Sequence, residues 1–200
     1  MVNGDHITRA AGIATAALAL ILLGACTAPG ATVPGDYSDV SLAETKSPAQ
    51  LLRNEAANRL PAEVIDQIIE SEDTSVTCLS EKDDPTGIVR SWHSTADVLI
   101  VDNGAVDMQA LVNQLTASFE EQGWTARSLG GNSSVTSKLL ESETSLADIQ
   151  VAGYKPNDTL PSTGLEQKIE QYTIQIQVHG PCVRTDGTDS DEVKLLEKAK

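Results

Sequence analysis

The sequence has few positive charges and few aromatic side chains. Its 14 Lys and Arg residues stand against 29 Asp and Glu residues, for a formal net charge of −15 at pH 7. Nucleic acids and anionic lipid surfaces bind positively charged proteins, so we expect no nucleic-acid partner. Aromatic residues make up only 3% of the chain, and it has three histidines. The acidic balance is also typical of an ordinary soluble surface.

The sequence motifs of common catalytic and cofactor sites are missing as well. There is no His-Glu-x-x-His, no Gly-x-x-x-x-Gly-Lys and no dinucleotide-binding fingerprint. No serine lies in a Gly-x-Ser-x-Gly elbow. We therefore predict no cofactor, no metal and no enzymatic activity. The acidic residues near the C-terminus depart from EF-hand spacing, which favours a solvated surface over a calcium site; they are Asp186, Asp189, Asp191 and Glu192.

An apolar segment lies near the N-terminus, at residues 10–23. It is shorter than the about 20 residues that span a bilayer, and its length is typical of a signal peptide. Leu23-Gly24-Ala25-Cys26 follows and resembles the lipobox of bacterial lipoproteins. In that family the peptidase cuts before the cysteine, whose thiol carries a diacylglyceryl group, and the new amine can take a further acyl chain such as palmitate. An uncleaved anchor and ordinary cleavage near Ala28 are the alternatives.

The lipobox implies a location. With residues 1–25 as signal peptide and Cys26 lipidated, the membrane is the first partner, and the protein is expected on the extracytoplasmic face of the cell membrane. Two or three acyl chains suffice for stable anchoring. Loss of Asp5 and Arg9 with the signal peptide leaves the net charge at −15.

Two cysteines remain after lipidation. Cys78 and Cys182 are expected to form a disulfide, because exported proteins fold in an oxidising compartment. A metal site is disfavoured because neither lies in a Cys-x-x-Cys pair.

Composition divides the mature chain into three parts. Residues 26–46 are rich in Pro, Gly, Ala and Thr and predict a flexible acidic tether. Residues 47–184 are long enough for one domain. Residues 185–200 are polar and predict a disordered tail.

Within the domain, Ser47-Pro48-Ala49-Gln50 is typical of a helix start. Apolar residues then recur every four positions through residue 68, with Pro61 expected to kink the helix or restart it as a second one. Two strands follow, the first containing Cys78. The next helix is predicted from Asp107 to Gly123, with its apolar face formed by Met108, Leu111, Val112, Leu115 and Phe119.

Four more strands follow, and the last alternates apolar Tyr172, Ile174, Ile176 and Val178 with polar residues. Such alternation indicates a sheet with one face open to water. We expect an α+β fold: a two-layer sandwich with an antiparallel sheet of about five or six strands and two or three helices on one face.

The layout of the whole chain is similar to that of small secreted lipoproteins of actinobacteria, many of them of unknown function. The resemblance is carried by the lipobox, the tether, a helix ending in Gln122-Gly123-Trp124 and a last strand running into Gly180-Pro181-Cys182-Val183. It implies no catalytic residues.

The polar face of the last strand is the candidate binding face; its residues are Thr173, Gln175, Gln177 and His179. We expect a non-enzymatic binding or accessory module of the cell envelope with an unknown protein partner. One alternative is a small-ligand-binding lipoprotein associated with a transporter, with Trp92 and Trp124 lining its pocket. The other is a hydrolase using His93 or His179, with Ser91 or Ser94 and Asp97 or Asp102 completing a triad.

Overall fold

A computed structural model describes residues 37–102, 104–130, 136–158 and 168–198. Three helices and seven strands occur in these ranges. The helices are α1 (Leu42–Asn58), α2 (Met108–Glu120) and α3 (Asp191–Lys198). The strands are β1 (Ile65–Thr77), β2 (Val89–Ile100), β3 (Thr125–Ser128), β4 (Thr136–Glu141), β5 (Asp148–Tyr154), β6 (Thr173–His179) and β7 (Val183–Arg184).

The strands form one antiparallel sheet in the order β1-β2-β6-β5-β4-β3, with the short β7 paired to β2. The predicted α+β class is confirmed. The predicted order of helix, two strands, helix and four strands matches the chain from α1 to β6, and β7 and α3 follow it. The sheet has seven strands rather than five or six because β7, only two residues long, continues past the last predicted strand.

All three helices pack on the same face of the sheet. Residues that alternate along β2 and β6 point into this layer, among them Val98, Ile174 and Ile176, which are fully buried. Helix α2 contributes Val112, Leu115 and Phe119, and α1 contributes Leu42, Ala49 and Ala56 to the same cluster. The opposite face of the sheet carries no helix among the described residues.

Both ends of α2 lie where the sequence predicts them. Asp107 caps the helix by accepting a hydrogen bond from the backbone N–H of Ala110 at 3.0 Å. Gly123 follows the helix with φ +89°, a conformation that favours glycine at a helix end.

Helix α1 begins at Leu42, not at Pro48, so the predicted tether over residues 26–46 is too long at its C-terminal end. Ser41 and Glu44 form a capping box in which each side chain bonds the other residue's backbone N–H. This Ser-x-x-Glu signal lies six residues before the predicted Ser47-Pro48 start, and it sets the observed beginning of the helix. Pro48 lies inside the helix.

The second half of the predicted first helix is wrong. After Leu60 and Pro61 the chain makes one short 3₁₀ turn and enters β1 at Ile65. Pro61 ends the helix, and β-branched Ile65, Ile68 and Ile69 fit a pleated strand well. These three residues are spaced i, i+3, i+4, as on one face of a helix. Two register shifts in β1 interrupt the regular alternation of a strand, so the sequence does not show that alternation.

The predicted disordered tail over residues 185–200 is also wrong for the part that the structure describes. The backbone N–H of Thr185 donates to the carbonyl of Ile88, and α3 follows. Val193 of α3 is 1% exposed and belongs to the main core. The Glu197 carboxylate accepts a hydrogen bond from Ser75 at 2.8 Å.

The predicted disulfide is present. Cys78 follows β1 and Cys182 precedes β7, with their Cα atoms 6.1 Å apart and 104 positions between them in sequence. The bridge joins the segment after β1 to the segment between β6 and β7.

Candidate functional site

The four residues predicted as a binding face do lie on the sheet face turned away from the helices. In register, Thr173, Gln175, Gln177 and His179 on β6 stand opposite Leu99, Asp97, Thr95 and His93 on β2. On the other side of β6 they face Tyr154, Ala152, Gln150 and Asp148 of β5. We call these twelve residues the open face. It is polar along its middle and at one end.

One end of the open face is covered. Ala152, Tyr154 and Ile169 form a small cluster of buried residues separate from the main core. Ile169 is held there by two backbone hydrogen bonds, one to Asn157 and one to Asp158. Thr173, in register with Tyr154, is only 3% exposed. Water therefore reaches the Gln177 and His179 end of the predicted face better than the Thr173 end.

A chain of side-chain hydrogen bonds crosses the middle of the open face. The Gln177 amide donates to Gln175 Oε1 at 2.6 Å, and the Gln175 amide donates to Asp97 Oδ1 at 3.0 Å. Gln175 is itself buried, while Gln177 is half-buried. Burial, followed by the charges of Asp97 and Asp158, raises the pKa of Tyr154. Gln177 and Asp97 are therefore more accessible than Gln175, which lies between them in this chain.

The two histidines meet at the other end. His179 Nδ1 lies 3.0 Å from His93 Nε2, and the ring centroids are 4.3 Å apart with the planes at 88°. Burial, and then the neighbouring His179, lower the pKa of His93 to about 4. Burial also lowers the pKa of His179. Both rings are consequently neutral at pH 7, with one donating a hydrogen bond to the other.

A carboxylate stands beside this pair. Asp148 of β5 is in register with His179. Burial and the adjacent Glu141 raise the pKa of Asp148, and Arg127 opposes them. Arg127 and Glu141 form an exposed ion pair at 3.5 Å. A cleft of about 720 Å³ lies here, lined by Gln122, Gly123, Thr125, Glu141, Ser142, Glu143, Thr144 and Asp148.

The serines proposed for a hydrolase triad are bonded elsewhere. The Ser91 hydroxyl donates to the carbonyl of Gly180 at 2.7 Å. Ser94 points into the helix layer, where it accepts from Arg53 Nη1 at 3.0 Å. Asp97 accepts from Gln175, and Asp102 accepts from the backbone N–H of Gly104. The structure thus brings the two histidines together, but neither Ser91 nor Ser94 is positioned as a nucleophile beside them.

The tryptophans pack against the core. Trp92 is fully buried, and its indole N–H donates to Asp73 Oδ1 at 2.8 Å. Trp124 makes an edge-to-face contact with Phe119 at 5.3 Å between centroids. A ligand pocket lined by Trp92 is incompatible with this burial.

The acidic residues near the C-terminus are partly engaged in local structure. Asp189 forms an ion pair with Lys194 at 3.4 Å, and Asp191 and Glu192 lie in the first turn of α3. Within the described ranges, no group of three or more His, Cys, Asp or Glu side chains could hold a metal ion.

Sequence reasoning missed the contact between His93 and His179 and the position of Asp148 beside it. The alternation of β6 showed which face His179 occupies, but pairing with His93 depends on a register between strands 86 positions apart. No local signal reports that register.

The predicted signal peptide over residues 1–25, the lipobox, Cys26 and most of the tether lie outside the described residues. Among the described helices, none is long and apolar enough to cross a membrane. No family model, curated protein or solved structure matches this chain.

Proposed function

We propose that this chain is a lipid-anchored binding module of the cell envelope that captures a partner on the open face of its sheet. The observation that carries the proposal is the one-sided packing of the fold. All three described helices bury one face, and a polar strip that includes Gln177, His179 and His93 stays accessible on the other. A rigid sheet presenting half-buried polar groups is suited to recognition, because its side chains are already ordered before binding.

A non-enzymatic role is favoured by how the reactive groups are bonded. The imidazoles bond each other, and the hydroxyls of Ser91 and Ser94 bond other partners. General-base activation needs a nucleophile within hydrogen-bond reach of the base. Neither of the two serines considered for the hydrolase alternative is therefore placed for attack.

The anchor is proposed from the sequence. The lipobox Leu23-Gly24-Ala25-Cys26 and the apolar segment before it support export and lipidation at Cys26. Cells fed an alkyne-bearing palmitate should label the wild type and a Cys78→Ser/Cys182→Ser variant, which keeps Cys26. A Cys26→Ser variant should lose the label. Label retained without Cys26 would refute the anchor.

Capture of a partner on the open face is tested by introducing a positive charge at Gln177, at the accessible end of this face. In-cell crosslinking followed by mass spectrometry should recover an envelope protein with the wild type and lose it with Gln177→Lys. Leu51→Lys is the matched control, since Leu51 is 65% exposed on α1, on the other side of the sheet. Equal recovery with both lysine variants would exclude this face as the docking surface.

A further inference from the structure

The geometry points to a further property of the open face: His93 and His179 form a two-nitrogen chelating site for a divalent transition-metal ion, with Cu²⁺ preferred. This inference does not depend on lipid anchoring or on capture of a protein partner. It rests on the positions of the two facing ring nitrogens, on their accessibility and on the charge around them.

The separation of the nitrogens fits a bridging metal. Imidazole nitrogens bind metals of this kind at about 2.0–2.1 Å, so two nitrogens 3.0 Å apart subtend an angle of about 91–97° at a shared ion. That angle is close to the right angle between neighbouring ligands in a tetragonal site and smaller than the tetrahedral angle. Tetragonal nitrogen and oxygen coordination is typical of Cu²⁺ and Ni²⁺, and Cu²⁺ binds most tightly in the series.

The protonation state also fits. The hydrogen bond between the rings requires an unprotonated nitrogen on one of them, so that nitrogen already offers a lone pair. In the hydrogen-bonded pair one facing nitrogen carries a proton. If that ring shifts its proton to its other nitrogen, both facing nitrogens offer lone pairs, and metal uptake requires no net deprotonation of the rings.

The surroundings favour a cation. Asp148 lies in register with His179 on the next strand, and Glu141 is close enough to it to raise its pKa. Both rings are half-buried, so an ion can reach them from solvent. The site has two protein ligands, because no third His, Cys, Asp or Glu completes a cluster among the described residues. The other coordination positions are left to water or to a ligand atom of a bound partner.

The test is Cu²⁺ binding to the detergent-solubilised, untagged full chain at pH 7, measured by equilibrium dialysis. Wild type should bind one ion per chain, and His93→Gln and His179→Gln should each weaken binding at least about tenfold. Asp189→Asn is the control, because its fully exposed carboxylate lies outside the histidine pair and its loss should leave binding unchanged. Equal affinity across all four proteins would overturn the proposal.

A spectroscopic measurement keeps the test decisive if a glutamine variant fails to fold. Electron paramagnetic resonance of Cu²⁺ bound to the wild-type protein should give a tetragonal spectrum coupled to two imidazole nitrogens. Labelling histidine with ¹⁵N should change that coupling. A spectrum with one imidazole nitrogen or none would show that the pair does not chelate the ion.

Discussion

His93 Nε2 and His179 Nδ1 face each other at 3.0 Å across two neighbouring strands, and both rings have lowered pKa values. Between about pH 6.5 and pH 4 the unfolded chain binds more protons at His93 than the folded chain does, and the lowered pKa of His179 acts in the same direction. The free energy of unfolding therefore increases as pH rises across this window and decreases as pH falls through it. Above pH 6.5 the two histidines no longer make the free energy of unfolding depend on pH.

We expect His93 to account for a loss of about 2 kcal/mol in unfolding free energy between pH 7 and pH 4.5, a value reduced from full linkage because solvent reaches the ring. Asp148 acts in the opposite direction near pH 4, since its pKa is raised. Urea unfolding at a series of pH values measures the slope. His93→Gln/His179→Gln should flatten it, and Leu51→Gln at an exposed position of α1 should not; an unchanged slope in the double variant would contradict the assignment.

A second prediction concerns the buried guanidinium of Arg53, which is 2% exposed. Its Nη2 bonds Glu70 at 2.6 Å while Nη1 bonds Ser94. Glu70→Gln removes the paired negative charge from a desolvated cation, so we expect a loss of about 1–2 kcal/mol in unfolding free energy. Glu141→Gln is the control, because its ion pair with Arg127 is exposed and should contribute less than about 0.5 kcal/mol. Equal losses of unfolding free energy in the two variants would show that the pair with buried Arg53 stabilises the fold no more than an exposed ion pair does.

The elements predictable from sequence are those whose signals are local. Helix α2 has its cap, its apolar stripe and its terminal glycine within a single stretch, from Asp107 to Gly123. Strand β6 has uninterrupted alternation, so the face of Gln177 and His179 follows from it. The overall order of helices and strands could be derived from such segments.

The misassigned elements depend on distant partners. The spacing of Ile65, Ile68 and Ile69 suits a helix, yet pairing with β2 makes this segment a strand. Helix α3 has a polar sequence and is held by burial of Val193 and by the contact of Glu197 with Ser75. Packing of this kind overrides local propensity and leaves no trace in a short sequence window.

The disulfide gives a third prediction. A Cys78→Ser/Cys182→Ser variant should lose up to about 4–5 kcal/mol, because a bridge closing a loop of this length restricts the unfolded chain strongly. Urea titration of the wild type with and without dithiothreitol should show the same loss, and the double variant should not respond to the reductant. A wild type indifferent to dithiothreitol under denaturing titration would argue against a stabilising bridge.

The fourth prediction separates a docked C-terminal helix from a loose tail. Val193 is 1% exposed in the main core, whereas Leu195 of the same helix is 67% exposed. Val193→Ser places a hydroxyl in an apolar site and removes buried methyl groups, so we expect a loss of about 1–3 kcal/mol. Leu195→Ser should change the unfolding free energy by less than about 0.5 kcal/mol. Thermal unfolding followed by circular dichroism measures both, and hydrogen exchange of the α3 amides reports whether the helix detaches. If the two serine variants behave alike, α3 does not stabilise the domain and the polar tail inferred from composition is the better description.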